Sequence, residues 1–142
     1  MLVKVKKLNK EAIIPFRGSK YAAGYDLYSC DELNIASKQT VAVSTGIAIE
    51  IPQGYFGAVF ARSGLASKEG LRPANCVGVI DCDYRGELKV MLHNDSAEER
   101  QIFKGERIAQ LVILPYFDIE FMESEQLDST ERGEGGFGSS GK

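Results

Sequence analysis

Residues 78–87 read Gly78-Val79-Ile80-Asp81-Cys82-Asp83-Tyr84-Arg85-Gly86-Glu87, a short apolar arm that runs into two acids, an aromatic residue and a glycine turn. After the turn, apolar side chains recur at every second position, at Leu88, Val90 and Leu92. Two such arms around a glycine turn predict a β-hairpin.

The acids of this hairpin are the first candidates for chemistry. Because side chains alternate across an extended strand, Asp81 and Asp83 are expected on one face, with Ile80, Cys82 and Tyr84 on the other. Acids beside a glycine turn commonly do no more than bond turn backbone groups. The hairpin alone therefore leaves a structural and a chemical role open.

Bulk composition restricts the classes of partner. The chain has 142 residues, of which 44% are hydrophobic, enough for one domain with one sizeable core. A net charge of −3 argues against a general nucleic-acid surface. The sequence has no run of eighteen apolar residues, which argues against a membrane span. From the charge and the missing apolar run together, we expect neither a nucleic-acid nor a membrane partner.

Cysteine and histidine usage narrows the chemistry further. The three cysteines, Cys30, Cys76 and Cys82, form no CxxC pair, which favours a reduced, cytoplasmic location (nuclear or host cytosol for a viral source). A single histidine, His93, argues against a zinc site and against histidine-dependent triads. Any general base is therefore expected to be a carboxylate.

The pattern along the chain indicates an all-β fold. Short strands are predicted at residues 2–8, 40–44, 46–51, 55–61 and 107–114, in addition to the hairpin. One short helix is predicted over residues 62–70, with Ser63 as its N-cap and Gly70 as its stop. Many short strands with little helix are typical of a sandwich or barrel.

The composition changes near the C-terminus. Residues 1–127 are expected to form the folded body, and the glycine- and serine-rich residues 128–142 a mobile arm of the same domain. A functionless end is one interpretation of such an arm. The alternative is closure over a ligand, for which Arg132, Phe137 and Ser139 are suited.

Three further positions carry polar groups in unusual places. Asp26 lies inside a strand-like run, where a salt bridge or turn bond would also explain it. Arg62 beside Ser63 at a helix start suits a phosphate, although a capped helix with a solvated arginine fits equally. Gln110 interrupts an apolar strand and should line a pocket or be bonded internally.

Five ordered segments resemble the motifs of the trimeric deoxyuridine triphosphatase (dUTPase) family. They are Ala22–Ser29, Ala61–Gly70, Asn75–Glu87, Lys104–Pro115 and Arg132–Gly141. The resemblance implies a distorted jelly-roll (β-clip) barrel, a homotrimer with active sites shared between subunits, and Mg²⁺. It also implies the reaction, which is hydrolysis of dUTP to dUMP and pyrophosphate.

The resemblance assigns roles at the hairpin. Asp81 matches the carboxylate that positions and deprotonates the attacking water, and Tyr84 matches the ring that packs against deoxyribose and excludes ribonucleotides. Asn75 matches the residue that reads uracil, helped by main-chain groups of Gly78, Val79 and Ile80. Lys89 aligns with a further nucleotide contact.

Phosphate and metal roles are implied in the same way. Arg62, Ser63 and Gly64 match the phosphate-binding segment, and Gln110 matches a phosphate contact from a neighbouring subunit. Arg132, Gly138 and Ser139 would bind the outer phosphates, with Phe137 stacked over uracil. Asp26 matches a structural acid that reaches Mg²⁺ through water, the metal being held otherwise by triphosphate and water.

One acid and two alternatives stay open. For Asp83 we expect a salt bridge with Arg85 or with another subunit. A deoxycytidine triphosphate (dCTP) deaminase of the same fold would release ammonia from dCTP, and a non-catalytic nucleotide-binding jelly-roll module would bind dUTP without forming products.

Overall fold

The computed structural model describes residues 1–136 of the chain. The described strands are β1 (Lys4–Lys7), β2 (Tyr25–Tyr28), β3 (Leu33–Ile35), β4 (Thr40–Ser44), β5 (Ile47–Glu50), β6 (Tyr55–Phe60), β7 (Leu71–Pro73), β8 (Gly78–Ile80), β9 (Lys89–Asn94), β10 (Arg100–Ile102) and β11 (Arg107–Pro115). One helical segment, Leu65–Glu69, lies between β6 and β7. Within residues 1–136, no helix combines the length and apolar character needed to cross a membrane.

The strands form four antiparallel sheets around one core. Their orders are β2-β11-β6-β8, β4-β9-β7, β1-β5 and β10-β3. The core contains aliphatic side chains from most of them, including Leu27, Ile35, Val43, Leu71, Leu92, Ile102 and Ile108. The all-β jelly-roll prediction is confirmed, but the barrel part of it is not, because strand pairing among the described residues stays within separate open sheets.

The predicted hairpin is wrong in its pairing, although both of its arms are strands. β8 pairs with β6, whereas β9 lies between β4 and β7. The chain turns after Ile80, where the Tyr84 N–H donates to the Asp81 carbonyl at 3.2 Å. The Leu88 N–H then donates to Ile47 at 2.8 Å. Residues 81–88 therefore cross from one sheet to another.

The helical segment differs from its prediction at its start. Ser63 does not cap it, since the segment follows Gly64 and has no side-chain cap. The Ser63 carbonyl instead accepts the Ser67 hydroxyl at 2.6 Å. Its end is as predicted, because Gly70 has a φ of 70°, the left-handed conformation that glycine adopts without a side-chain clash.

Strand β6 determines where the candidate site residues lie. It is antiparallel to β8, with Gly57 opposite Ile80, and to β11, with Phe60 opposite Gln110. The beginning of β6 thus lies beside the end of β8, and Asp81 follows there. The end of β6 leads to Arg62. By the rise of an extended strand, about 20 Å separates these two ends.

Candidate active site

The first group of candidate residues surrounds a cavity of about 520 Å³. Its lining residues are Val79, Ile80, Asp81, Tyr84, Glu87, Leu88, Lys89 and Met91. Asp81 is exposed, and its carboxylate has no hydrogen-bond or ion-pair partner in the described part of the chain. An ionised carboxylate at a cavity with no cation bound to it can accept a proton or orient water.

Tyr84 lies at the same cavity as Asp81, although strand alternation predicted opposite faces. The turn from Asp81 to Tyr84 is the reason, because alternation holds only in extended chain. The Tyr84 hydroxyl donates to the Glu87 carbonyl at 3.1 Å. The ring covers Gly86 so closely that a Cβ there would lie 2.3 Å from the Tyr84 hydroxyl oxygen. Glycine at position 86 therefore leaves the space that the Tyr84 ring occupies.

Glu87 is a site residue that the sequence analysis did not identify. One carboxylate oxygen accepts the Gly46 N–H at 2.9 Å, and the other lies 3.6 Å from the Lys89 ammonium. The ion pair with Glu87 holds the Lys89 side chain along the wall of the cavity. The only sequence signal for Glu87 is its position at the end of residues 78–87.

Asn75 lies just before β8, in an exposed loop of residues 74–77 that we call the base loop. Its side-chain nitrogen lies 3.2 Å from where a Cβ on Gly78 would be. The amide therefore packs over the backbone at the start of β8, while Asp81 follows the end of the same strand. Asn75 and Asp81 are thus separated by one short strand.

A second group of polar residues lies at the other end of β6. We call Asp26, Arg62, Arg107 and Gln110 the Arg62 cluster. Arg62 Nε donates to Asp26 Oδ1 at 2.9 Å, and Arg107 Nη1 lies 3.5 Å from Asp26 Oδ2. The Asp26 side chain is only 15% exposed, so its charge is largely taken up by the two arginines. Arg107 was not identified from the sequence.

Gln110 orients the segment that carries Arg62. Its Nε2 donates to the Ala61 carbonyl at 2.8 Å, so this part-buried amide is bonded inside the protein. Its oxygen lies 2.3 Å from where a Cβ on Gly24 would be. Ser63 is exposed beside Gly64, around which a Cβ would meet no atom within 4 Å. This open segment is accessible to a ligand.

Asp83 does not form the predicted bridge with Arg85. Arg85 Nη1 donates instead to the carbonyls of Cys82 at 2.6 Å and Tyr84 at 3.0 Å. Asp83 lines a neighbouring cavity of about 560 Å³, together with Cys82 and Tyr116. There the Cys82 thiol, 3.8 Å away, raises the pKa of Tyr116. An ion pair of Asp83 with another subunit stays a prediction.

The candidates of the C-terminal arm are only partly described. Arg132 Nε donates to Gly135 within the arm, at 2.7 Å. Phe137, Gly138 and Ser139 lie outside the described residues. Within one chain, then, the structure groups Asp81, Tyr84 and Lys89 at one end of β6 and Asp26, Arg62 and Gln110 at the other.

Metal ligands are sparse in the described part of the chain. Residues 1–136 contain no group of three or more His, Cys, Asp or Glu side chains placed to hold a metal ion. The Asp26 carboxylate already receives two arginines. The water-mediated contact of Asp26 with Mg²⁺ stays a prediction.

Comparison with known proteins gives one consistent result. The dUTPase family model matches residues 10–141. A deoxyuridine 5'-triphosphate nucleotidohydrolase of Nautilia profundicola is 51% identical over 142 residues, covering 100% of both chains. That of Candida albicans is 49% identical and covers 99% of this chain and 88% of its own.

Solved structures agree with the sequence relatives. The dUTPase of Staphylococcus bacteriophage 80alpha, solved with dUPNHPP, superimposes with a TM-score of 0.92 at 35% identity, covering 99% of each chain. The predicted family is therefore confirmed at the level of sequence and of fold. On the match over residues 10–141 and the identity along its whole length, this chain belongs to the dUTPase family.

Proposed function

We propose that this chain hydrolyses dUTP to dUMP and pyrophosphate, with Asp81 activating the attacking water. The observation that carries the proposal is that Asp81, an exposed carboxylate with no cation partner within residues 1–136, and the Tyr84 ring line the same cavity. The membership of this chain in the dUTPase family supports the same substrate, dUTP. The reaction would lower the concentration of dUTP and so limit the incorporation of uracil into DNA.

The chemical step needs one base and one positioned water. Asp81 accepts a proton from water while the water oxygen bonds to the α-phosphorus. The bond from that phosphorus to the oxygen bridging to the β-phosphate breaks, and pyrophosphate leaves with the electron pair. An aspartate is a weak base but is ionised at pH 7. Positioned general bases contribute about 10²–10⁴-fold to such reactions.

Selectivity for the sugar and the base follows from the neighbouring residues. The Tyr84 ring is fixed by its hydroxyl bond and by Gly86, so a 2′-hydroxyl on the sugar would collide with it. The Asn75 amide donates and accepts at once, as the uracil edge requires. Main-chain groups of Gly78, Val79 and Ile80 add further bonds along β8, and Lys89 a further nucleotide contact.

A complete site requires more than one copy of the chain. Asp81 and the Arg62 cluster lie at opposite ends of β6, about 13–20 Å apart along the strand direction. A triphosphate bound at Asp81 therefore needs Arg62, Ser63, Gly64 and Gln110 from a neighbouring subunit. We propose a homotrimer with shared sites, which should elute at about 47 kDa, three times the chain mass of 15.6 kDa.

The segment after β11 also favours assembly. Phe117 is 88% exposed and Phe121 is 94% exposed, with Ile119 exposed between them. Acids at Asp118 and Glu120 alternate with these apolar residues. Three large apolar side chains exposed within five residues are unfavourable in water, which supports their burial against another subunit.

The metal requirement follows from membership of the family, whose enzymes depend on a divalent metal. We propose Mg²⁺, because a metal held mainly by phosphate oxygens and waters, without a cage of protein ligands, suits that ion. When bound, it would neutralise charge on the triphosphate. Asp26 would orient one of its waters while keeping Arg62 in place.

The arm after residue 127 is proposed as a lid. Arg132, Gly138 and Ser139 would bind the outer phosphates and Phe137 would stack over uracil, excluding water other than the nucleophile. Removing residues 131–142 should lower turnover strongly without changing the melting temperature. Normal dUTP hydrolysis by the shortened chain would contradict the lid.

The experiment that tests the proposal measures pyrophosphate release from dUTP, dTTP, dCTP and UTP, with and without Mg²⁺. We expect products from dUTP and Mg²⁺, and much less from the other three. Ammonia released from dCTP would support a deaminase instead. Binding of dUTP with no product would indicate a non-catalytic module.

A further inference from the structure

Arg72, on β7, connects the base loop to a separate turn of the molecule. Its Nε donates to Asp95 Oδ2 at 2.6 Å and its Nη2 to Asp95 Oδ1 at 3.2 Å, a two-pronged pair. Its Nη1 points the other way, to the Pro73 carbonyl at 3.3 Å and the Cys76 sulfur at 3.8 Å. One planar guanidinium thus contacts Asp95 and both sides of Asn75 in the chain.

Asp95 is held in place by a rigid platform. Its N–H donates to the Gly70 carbonyl at 2.8 Å. The preceding residue, Asn94, is fully buried, and its amide nitrogen donates to Ile35 at 2.9 Å and Glu98 at 2.7 Å. Because buried, fully bonded groups resist displacement, Asp95 presents its carboxylate to Arg72 from a fixed point.

The base loop has little else to hold it. Its residues are exposed, and its backbone bonds to the rest of the fold include Ala74 N–H to the Met91 carbonyl at 2.7 Å. Cys76 adopts a φ of 62°, a left-handed conformation that a residue with a Cβ adopts only where the surroundings impose it. The other backbone bonds of the loop, from Cys76 N–H to the Pro73 carbonyl at 3.1 Å and from Val77 N–H to the Asn75 carbonyl at 2.6 Å, join near neighbours only, so the Arg72 contact adds a connection to the rest of the fold.

We infer that Arg72, oriented by Asp95, is a positioning residue that holds the base loop and so sets how tightly Asn75 binds uracil. This inference rests on the proposed function. A loose loop would misalign the Asn75 amide against the uracil edge. Cytosine presents a donor where uracil presents an acceptor, so a misaligned amide would also discriminate less against cytosine.

The test compares steady-state hydrolysis of dUTP by R72Q and R72K with that of the wild-type enzyme. For both variants we expect the KM to rise about fivefold, with kcat within about twofold, because only binding geometry is lost. The Kd for dUPNHPP, measured by calorimetry, should rise in parallel. The ratio of the dCTP inhibition constant to the dUTP KM should fall.

Two further variants separate the possible causes. D95N leaves Arg72 in place but removes the charge that orients it, so the KM should rise in the same direction and by less. K104Q removes a cation from another exposed pair, with Glu11, and should leave the KM unchanged. If R72Q does not fold, R72K and D95N carry the test, with melting curves recorded for each.

The outcomes are distinct. A wild-type KM in R72K with a raised KM in R72Q would mean that Arg72 acts only as a charge, which overturns the positioning role. A wild-type KM in R72Q and D95N would overturn it as well. A wild-type enzyme that does not hydrolyse dUTP would instead contradict the proposed function.

Discussion

Two aspartates at opposite ends of β6 show how one residue type serves two purposes. Asp26 is 15% exposed and receives Arg62 and Arg107, so its charge is balanced inside the chain. Asp81 is exposed at a cavity and has no cation partner among the described residues. A balanced carboxylate holds its neighbours in place, whereas an unbalanced one is available to a water. On the proposed function, we expect Asp26 to orient neighbouring groups and Asp81 to accept the proton of the attacking water.

Replacing Asp81 should give the largest effect. D81N should lower kcat by about 10³-fold, because the amide cannot accept the proton, while the Kd for dUPNHPP and the melting temperature stay close to wild type. Pyrophosphate release and calorimetry measure the two quantities. D83N is the matched control and should keep most turnover. Near-normal kcat in D81N would remove Asp81 from its role.

Replacing Asp26 should give the opposite signature, in which stability and activity fall together. D26N keeps an acceptor oxygen but removes the negative charge that pairs with Arg62 and Arg107, which should cost about 1–2 kcal/mol in the free energy of unfolding. That corresponds to a melting temperature lower by about 3–6 °C. Turnover should fall by about tenfold as Arg62 loses its orientation. R107Q, which removes the longer contact, should have a smaller effect on both.

Two glycine substitutions displace one side chain at each end of β6. G86A should push the Tyr84 ring, lower kcat/KM for dUTP by about tenfold and weaken the preference for dUTP over UTP. G24A should push Gln110 and lower kcat/KM without changing that preference. G18A, where a Cβ would meet nothing within 4 Å, is the control. An unchanged preference in G86A would contradict the role of Tyr84.

The smallest effect concerns acid stability. The Arg72 guanidinium lowers the pKa of Asp95 below its ordinary value of 3.8. A lowered pKa stabilises the fold above the unfolded-state value, and this contribution is lost as the pH falls through the folded-state value. Urea midpoints of wild type and D95N should therefore differ slightly at pH 7 and converge below about pH 3.8. A constant difference would show that the Asp95 charge is not the cause.

The sequence was sufficient for the strands because alternation at Leu88, Val90 and Leu92 reflects burial of one face. It was not sufficient for their partners, because nothing in residues 78–94 shows that β8 pairs with β6 and β9 with β4. The strand with which each arm pairs depends on residues far away in the sequence. In addition, the turn at Asp81 brings Tyr84 to the same cavity as Asp81, where alternation predicted opposite faces.

The candidate residues themselves came from motifs, but their surroundings did not. Gln110 was predicted to need a partner, yet the Ala61 carbonyl could not be identified without the fold. The sequence did not single out Arg107, Glu87 and Arg72, because each bonds a residue far away in sequence; these are Asp26, Gly46 and Asp95, respectively. Long-range pairs of this kind become visible only when the strands are placed.

The central claim is that the two ends of β6 meet in one active site only across subunits. The direct measurement coexpresses D81N and R62Q chains with different tags and assays the purified mixed oligomers. In each mixed trimer, one of the three sites joins an intact Asp81 to an intact Arg62, so the purified mixed oligomers should show about a third of wild-type turnover. Mixed oligomers as inactive as either parent would contradict the claim.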